Sequence, residues 1–242
     1  MTTAERARRF FLVLLIGAWS SAPAREQEPA AANVQVGSEE GEFRIYIGGK
    51  EIGNEKFAIT SSANSASSTS VLQFRNPAGR HEKIELETKL EMNGQYVPRR
   101  YELKSNVDGQ KGTIVGTFAP NQAIFEYLSG EVTRKSGIVV GDRFTLLDTN
   151  IFHHFIFLAR LFDYESKEEA QKFEVAIPQE PDSGFLNISQ LKSESVSLRG
   201  KTVEAYHLKA DSGSLVVDLW VDARHVLQKL AVKSKNIEVV RK

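Results

Sequence analysis

From Glu42 to Arg241 the chain alternates apolar and polar positions. In IELETKLEM, Ile84, Leu86, Leu90 and Met92 are interleaved with Glu85, Glu87, Lys89 and Glu91, the period of a strand with one face in a core and the other in water. Asn93-Gly94 follows and predicts a tight hairpin, because both central residues of a type I′ turn need positive φ. The return strand then puts Val97, Tyr101 and Leu103 on one side. Phe43, Ile45 and Ile47 repeat the pattern, and Gly48-Gly49 turns the chain toward Ile52, Phe57 and Ile59. The same signal predicts strands over 71–74, 113–118, 123–128, 173–177, 190–198, 202–208, 215–221 and 226–232, with Gly, Asn, Asp or Pro in most of the gaps. The serine-rich stretch TSSANSASST, 60–69, has no large side chain to anchor a pleat and reads as a flexible loop, the alternative being a strand whose small residues permit a sharp bend. No fixed-period repeat occurs, which argues against a propeller or solenoid.

One segment breaks the alternation. IFHHFIFLARLF, 151–162, is apolar around almost its whole circumference when wound as a helix, with Phe155, Leu158, Ala159 and Phe162 on the side of Ile151 and a narrow stripe holding His153 and Arg160. Asp148, Thr149 or Asn150 offers an N-cap. A helix of this kind needs to be buried, and a curled sheet is the only surface large enough. The expected fold is therefore mainly β: a single curved antiparallel sheet, a half-barrel of about a dozen strands, wrapped around or covered by one buried α-helix.

The N-terminus changes the picture of where the protein works. Arg6, Arg8 and Arg9 precede the apolar stretch Phe10 to Trp19, which runs into Ser-Ser-Ala-Pro-Ala ending at Ala24. That is the pattern of a cleaved secretory signal over residues 1–24, too short for a comfortable membrane span. Residues 25–40 mix charge with Ala and Pro and read as a flexible leader, leaving 41–242 as a single β half-barrel domain. The expected location is periplasmic or secreted, with no stable membrane span after cleavage. The chain has no cysteine, so neither disulfides nor a lipidated cysteine contributes and stability rests on the core. Removing residues 1–24 takes away three arginines and one glutamate, leaving 28 basic against 30 acidic side chains, a net charge of −2. So near-neutral a balance offers no broad footprint for nucleic acid.

Candidate chemistry is sparse. Adjacent helical residues diverge by about 100°, whereas helical His pairs that share a metal sit four apart, so His153 and His154 are not read as ligands. His81, His207 and His225 fall in separate segments. HEKIE at 81–85 lacks the second histidine of a zinc-peptidase motif, no G-x-S-x-G elbow occurs, and no glycine-rich phosphate loop is present. No catalytic residue, metal or cofactor is expected. Arg160 needs partners inside an apolar helix: an inward acidic residue, the solvent at the rim, or the acidic head group of a ligand.

The C-terminal LVVDLWVDARHVLQKLAVKSKNIEVVRK, with GGKEIGNEKF near the start and IFHHFIFLARLFD in the middle, resembles a group of uncharacterised bacterial secreted proteins whose domains are similar to the periplasmic lipoprotein-carrier fold. The resemblance implies an unclosed antiparallel β-barrel with helices over its cavity; the carriers have more than one such helix, and this chain presents one. It implies a fold more than an activity. Two roles follow as expectations. In the first, a non-catalytic exported protein binds a lipid or other apolar small molecule in the half-barrel, lined by Phe152, Phe155, Leu158, Phe162 and Trp220, with Arg160 orienting a head group. In the second, it is a structural or protein-interaction module of the cell envelope, using a sheet edge or an outer face.

Overall fold

The computed structural model describes residues 36–76, 82–198 and 201–242. The expected signal, most of the leader and His81 lie outside these residues.

Sixteen strands form one continuous sheet. In chain order they are β1 (Gly37–Ile47), β2 (Lys50–Ser61), β3 (Ser65–Arg75), β4 (Lys83–Asn93), β5 (Pro98–Val107), β6 (Gln110–Ala119), β7 (Gln122–Ser129), β8 (Val132–Ile138), β9 (Thr145–Leu146), β10 (Gln171–Ile177), β11 (Asp182–Gln190), β12 (Glu194–Leu198), β13 (Lys201–Asp211), β14 (Val216–Val221), β15 (Leu227–Val232) and β16 (Ile237–Arg241). The one α-helix among the described residues, α1, spans His154–Leu161. The lateral order is β8-β7-β6-β5-β4-β3-β2-β1-β16-β15-β14-β13-β11-β10-β9, with β12 paired to β13. Every pairing is antiparallel except β9 with β10.

The sheet curls until its two ends face each other, but among the described residues no strand ladder closes it. Instead the Tyr127 hydroxyl donates to the Pro178 carbonyl at 2.7 Å, the Ser183 hydroxyl donates to the Val139 carbonyl at 3.0 Å, and the Gly141 amide donates to the Glu174 carboxyl at 2.9 Å. The half-barrel expected from the alternation is present, with more strands than the sequence marked. β8, β9 and β11 escaped notice because their apolar residues are few or interrupted, as in VTRKSGI and DSGFLNISQ.

Three local expectations change. The serine-rich stretch is not a loop: β2 reaches Ser61 and β3 starts at Ser65, with Ala66, Ser68 and Ser70 buried on the inner face. Small residues are used there because α1 starts directly against them. β1 starts at Gly37, inside the expected leader, since Gly37 to Glu40 pair with Thr60 and its neighbours from Ser61 back to Ala58. Asn93-Gly94 does not make a two-residue turn. Asn93 Oδ1 accepts the amides of Gln95 and Val97, both at 2.9 Å, and the positive φ falls on Tyr96. Gly94 is still required, because a Cβ there would sit 2.2 Å from the Ala63 carbonyl oxygen. Gly48 and Gly49, with φ of 56° and 78°, make the tight turn expected of them.

α1 is shorter than predicted and starts later. Residues 152–153 form a turn, His153 is the N-cap, and the acidic stretch after Phe162 is irregular, with one turn and a bend, until β10. Its seven residues from His154 to Arg160 are all buried, as expected of a helix apolar on nearly every side. Around it the sheet contributes Phe43, Phe57, Leu72, Leu90, Tyr101, Phe125, Leu219 and Val239, all in one core.

Candidate functional site

The residues the sequence singled out separate into two places. Phe152, Phe155, Leu158, Arg160 and Phe162 lie together inside the curled sheet, exposed by 3%, 2%, 0%, 4% and 5%. Protein neighbours take up almost the whole of each surface. Trp220 is elsewhere. Val217, Leu219 and Val221 face the core, so the intervening residue points the opposite way, and Trp220 packs with Ala205, Ala231 and Val196 in a small separate cluster. There its indole stacks on His207 at 4.8 Å and its N–H donates to Glu194. The expectation that it lines the same space as the helix is therefore corrected: strand alternation puts it on the outer face.

The start of α1 is the most polar part of the interior. Four N–H groups at a helix start lack intrahelical acceptors, and His153 supplies no side-chain cap. The acceptor comes from the sheet. Glu55 on β2, 0% exposed, takes the backbone N–H of Phe152 at 2.9 Å and of His153 at 3.1 Å on one oxygen. Its other oxygen takes the His153 Nδ1–H at 2.6 Å. In the tautomer that carries its hydrogen on Nδ1, Nε2 accepts from the Ser68 hydroxyl at 3.1 Å.

Serine, histidine and carboxylate thus stand in the hydrogen-bond order of a nucleophile, base and orienting acid. Yet Ser68 is only 1% exposed and the same carboxyl is engaged by two backbone amides. What the arrangement does is tie β2 and β3 to the helix start.

The two histidine rings do not diverge as an idealised helix would make them. The rings meet edge to face at 4.6 Å, while their nitrogens take different partners. His154 Nδ1 accepts the Asp148 amide at 3.2 Å, which puts the hydrogen of the neutral ring on Nε2, a buried atom without a hydrogen-bond partner. Burial, and then the neighbouring His153, hold the His154 pKa well below the ordinary histidine range, so the ring stays neutral. Among the described residues no group of three or more His, Asp or Glu could hold a metal ion.

Asp148 forms the second buried anchor. The Tyr101 hydroxyl donates to one oxygen at 2.6 Å, and the amides of Thr149 and Gln179 donate to the other at 2.9 Å each. Burial raises its pKa to about 6, against the opposing pull of these bonds. The raised value fixes a sign. Between the unfolded carboxyl's pKa of about 4 and the folded one of about 6, the native state holds more of the proton. The contribution to stability is therefore complete below that window and is lost as pH rises through it. Asp148→Asn keeps the acceptor for both amides and turns a donor toward Tyr101. The wild type is expected to lose about 1–3 kcal/mol relative to D148N between pH 4 and pH 6, as read from urea unfolding of both proteins across that range.

Arg160 resolves to an ion pair. Its guanidinium binds Glu39 on β1, and reaches the Tyr96 hydroxyl at 3.3 Å and Ser61 Oγ at 3.5 Å. Glu39 also accepts from Arg241 at 2.6 Å, so helix, first strand and last strand meet at one carboxylate. Glu55, Ser68, Asp148, Tyr101 and Glu39 were not among the expected site residues. Strand parity bears on Glu55, in step with inward Phe57 and Ile59, on Ser68, in step with Leu72 and Phe74, and on Tyr101, in step with Leu103.

No known family model matches the chain, and no curated protein does. Solved structures do. The chain is similar to a β-barrel-like protein of domain of unknown function DUF1849 from Brucella abortus, with a TM-score of 0.61, 9% identity, and coverage of 86% of this chain and 96% of that one. A DUF1089 family protein from Pseudomonas aeruginosa follows with a TM-score of 0.44, 8% identity, and coverage of 87% and 95%. At such identities the first likeness carries the fold alone: an open, β-barrel-like domain.

Proposed function

We propose that this chain is an exported, non-catalytic module of the cell envelope that works through its surface and sheet edges by holding another protein. The observation that carries this reading is the filled interior. Phe152, Phe155 and Leu158, the residues best placed to line a ligand cavity, give at most 3% of their surface to anything but protein. Among the polar groups there, His153 is engaged with Glu55 and Ser68, His154 Nδ1 with the Asp148 amide, and Arg160 with Glu39. A carrier-type apolar ligand would have to displace α1 and break these ties. Export is supported by the Arg-rich start, the short apolar stretch and the Ala22-Pro23-Ala24 cleavage pattern.

The test uses the full chain expressed in a bacterium with an outer membrane. The exported form is expected to begin at Arg25, to be free of co-purifying lipid by native mass spectrometry, and to give a discrete protein adduct when photo-crosslinking residues are placed across the outer face. A stoichiometric lipid on the gently purified protein would overturn the reading in favour of ligand carriage.

A further inference from the structure

Resting on that reading, we propose that the docking site is the outer edge of β8, and that it receives an extended segment of a partner protein in which two adjacent acidic residues are flanked by apolar ones. Among the described residues β8 pairs with β7 alone and ends the sheet. Its outer edge is therefore a row of backbone donors and acceptors that another strand can use. The surroundings are apolar. Of the seven exposed large hydrophobic side chains among the described residues, four lie on this hairpin or its exit: Ile124 at 36%, Leu128 at 39%, Val132 at 66% and Val139 at 78%.

The charges on β8 select the occupant. Arg134 and Lys135 are adjacent and exposed, Arg134 lying 4.8 Å from the centre of the Tyr127 ring and Lys135 3.5 Å from Glu126. A second copy pairing antiparallel about this centre would set cation against cation whether the twofold fell on Lys135 or between the two residues, an unfavourable cross-strand arrangement. An acidic strand meets the opposite condition.

Register supplies the rest of the pattern. Phe125 and Ala123 face inward, so Leu128, Glu126 and Ile124 face outward beside Thr133, Lys135 and Gly137. Gly137 presents no side chain, which leaves the flank of Ile124 open to an apolar group on an incoming strand. Thr133 leaves Leu128 half-covered in the same way. Read along an antiparallel partner, the fitting order is apolar, any residue, acidic, acidic, apolar.

The probe is the labelled peptide acetyl-Thr-Val-Thr-Glu-Glu-Val-Thr-amide, with a Lys-Lys counterpart as control, and binding to the exported chain is followed by fluorescence anisotropy. The wild type is expected to prefer the acidic peptide, with slowed amide exchange confined to β8. The double variant R134E/K135E, altered only at exposed side chains, is expected to keep the wild-type circular dichroism, with a melting temperature lower by a few degrees because Glu126 then faces a carboxylate. It should lose the acidic peptide by roughly tenfold, as two cross-strand charge pairs imply, and gain the basic one. Failure of the wild type to bind, indifference to peptide charge, or protection on another strand would overturn the proposal. So would a dimer that dissolves on charge reversal, or β8 amides already protected until residues 25–35 are removed. If a partner cross-links on another face while the peptide fails, this inference alone falls; a lipid in the interior removes the reading beneath it.

Discussion

Replacing Glu55 with alanine is expected to destabilise the fold by about 3–5 kcal/mol, the cost of removing one partner from a buried, charge-assisted cluster. The loss is large because a single side chain satisfies three donors: two backbone N–H groups at the start of α1 and the His153 Nδ1–H. None of them can turn to water, since Glu55 and His153 are each 0% exposed. Without the carboxyl, the helix start has no acceptor and the hold of Ser68 on the far side of the imidazole loses its orientation. Glu55→Gln retains one oxygen and should cost less, about half as much. Urea unfolding of E55A and E55Q, followed by far-ultraviolet circular dichroism, gives both values; equal stability of E55A and wild type would show that the helix is held by packing alone.

Phe157→Ala is expected to cost about 3–5 kcal/mol by a different route, the lost transfer energy of a buried ring plus the void it leaves. Phe157 is 0% exposed and lies 5.5 Å from the Tyr96 ring and 6.2 and 6.4 Å from those of His153 and His154, measured between centroids. Two of these neighbours are fixed by hydrogen bonds to Arg160 and Glu55, so the site has little freedom to collapse. A ring-sized void beside these three rings admits a small aromatic molecule. Benzene should therefore raise the melting temperature of F157A and leave the wild type unchanged. If the wild type responds equally, its interior already holds space for a small ligand.

Much of this architecture was legible in the alternation of side chains, because a strand with one wet face must repeat every second residue. The helix was legible for the complementary reason, being apolar on too many sides to lie anywhere but inside. An inward acidic residue was one of the partners open to Arg160, and Glu39 is that residue. What escaped was polar and inward. Glu55 shares the parity of Phe57, Ile59 and Ser61, and Ser68 that of Leu72 and Phe74. Extending each strand's parity past its last large residue would have placed both inside. The same rule would have put Trp220 outside, since Leu219 and Val221 bracket it. Partners in the interior stayed hidden because they come from distant segments: Glu55 and His153 are 98 positions apart, a separation set by the curl of the whole sheet.

β1 and β16 are hydrogen-bonded neighbours, with Phe43 opposite Arg241 and the Lys242 amide donating to the Glu42 carbonyl at 2.8 Å. They stand near the middle of the sheet order, not at its rim. The two arms of the sheet are thus joined by a ladder that cannot form until β16 is available. Contacts of such sequence separation make folding slow, because loop closure is paid for before pairing rewards it. A chain emerging from its N-terminus would remain open, with the two faces that enclose α1 still apart, until β16 followed.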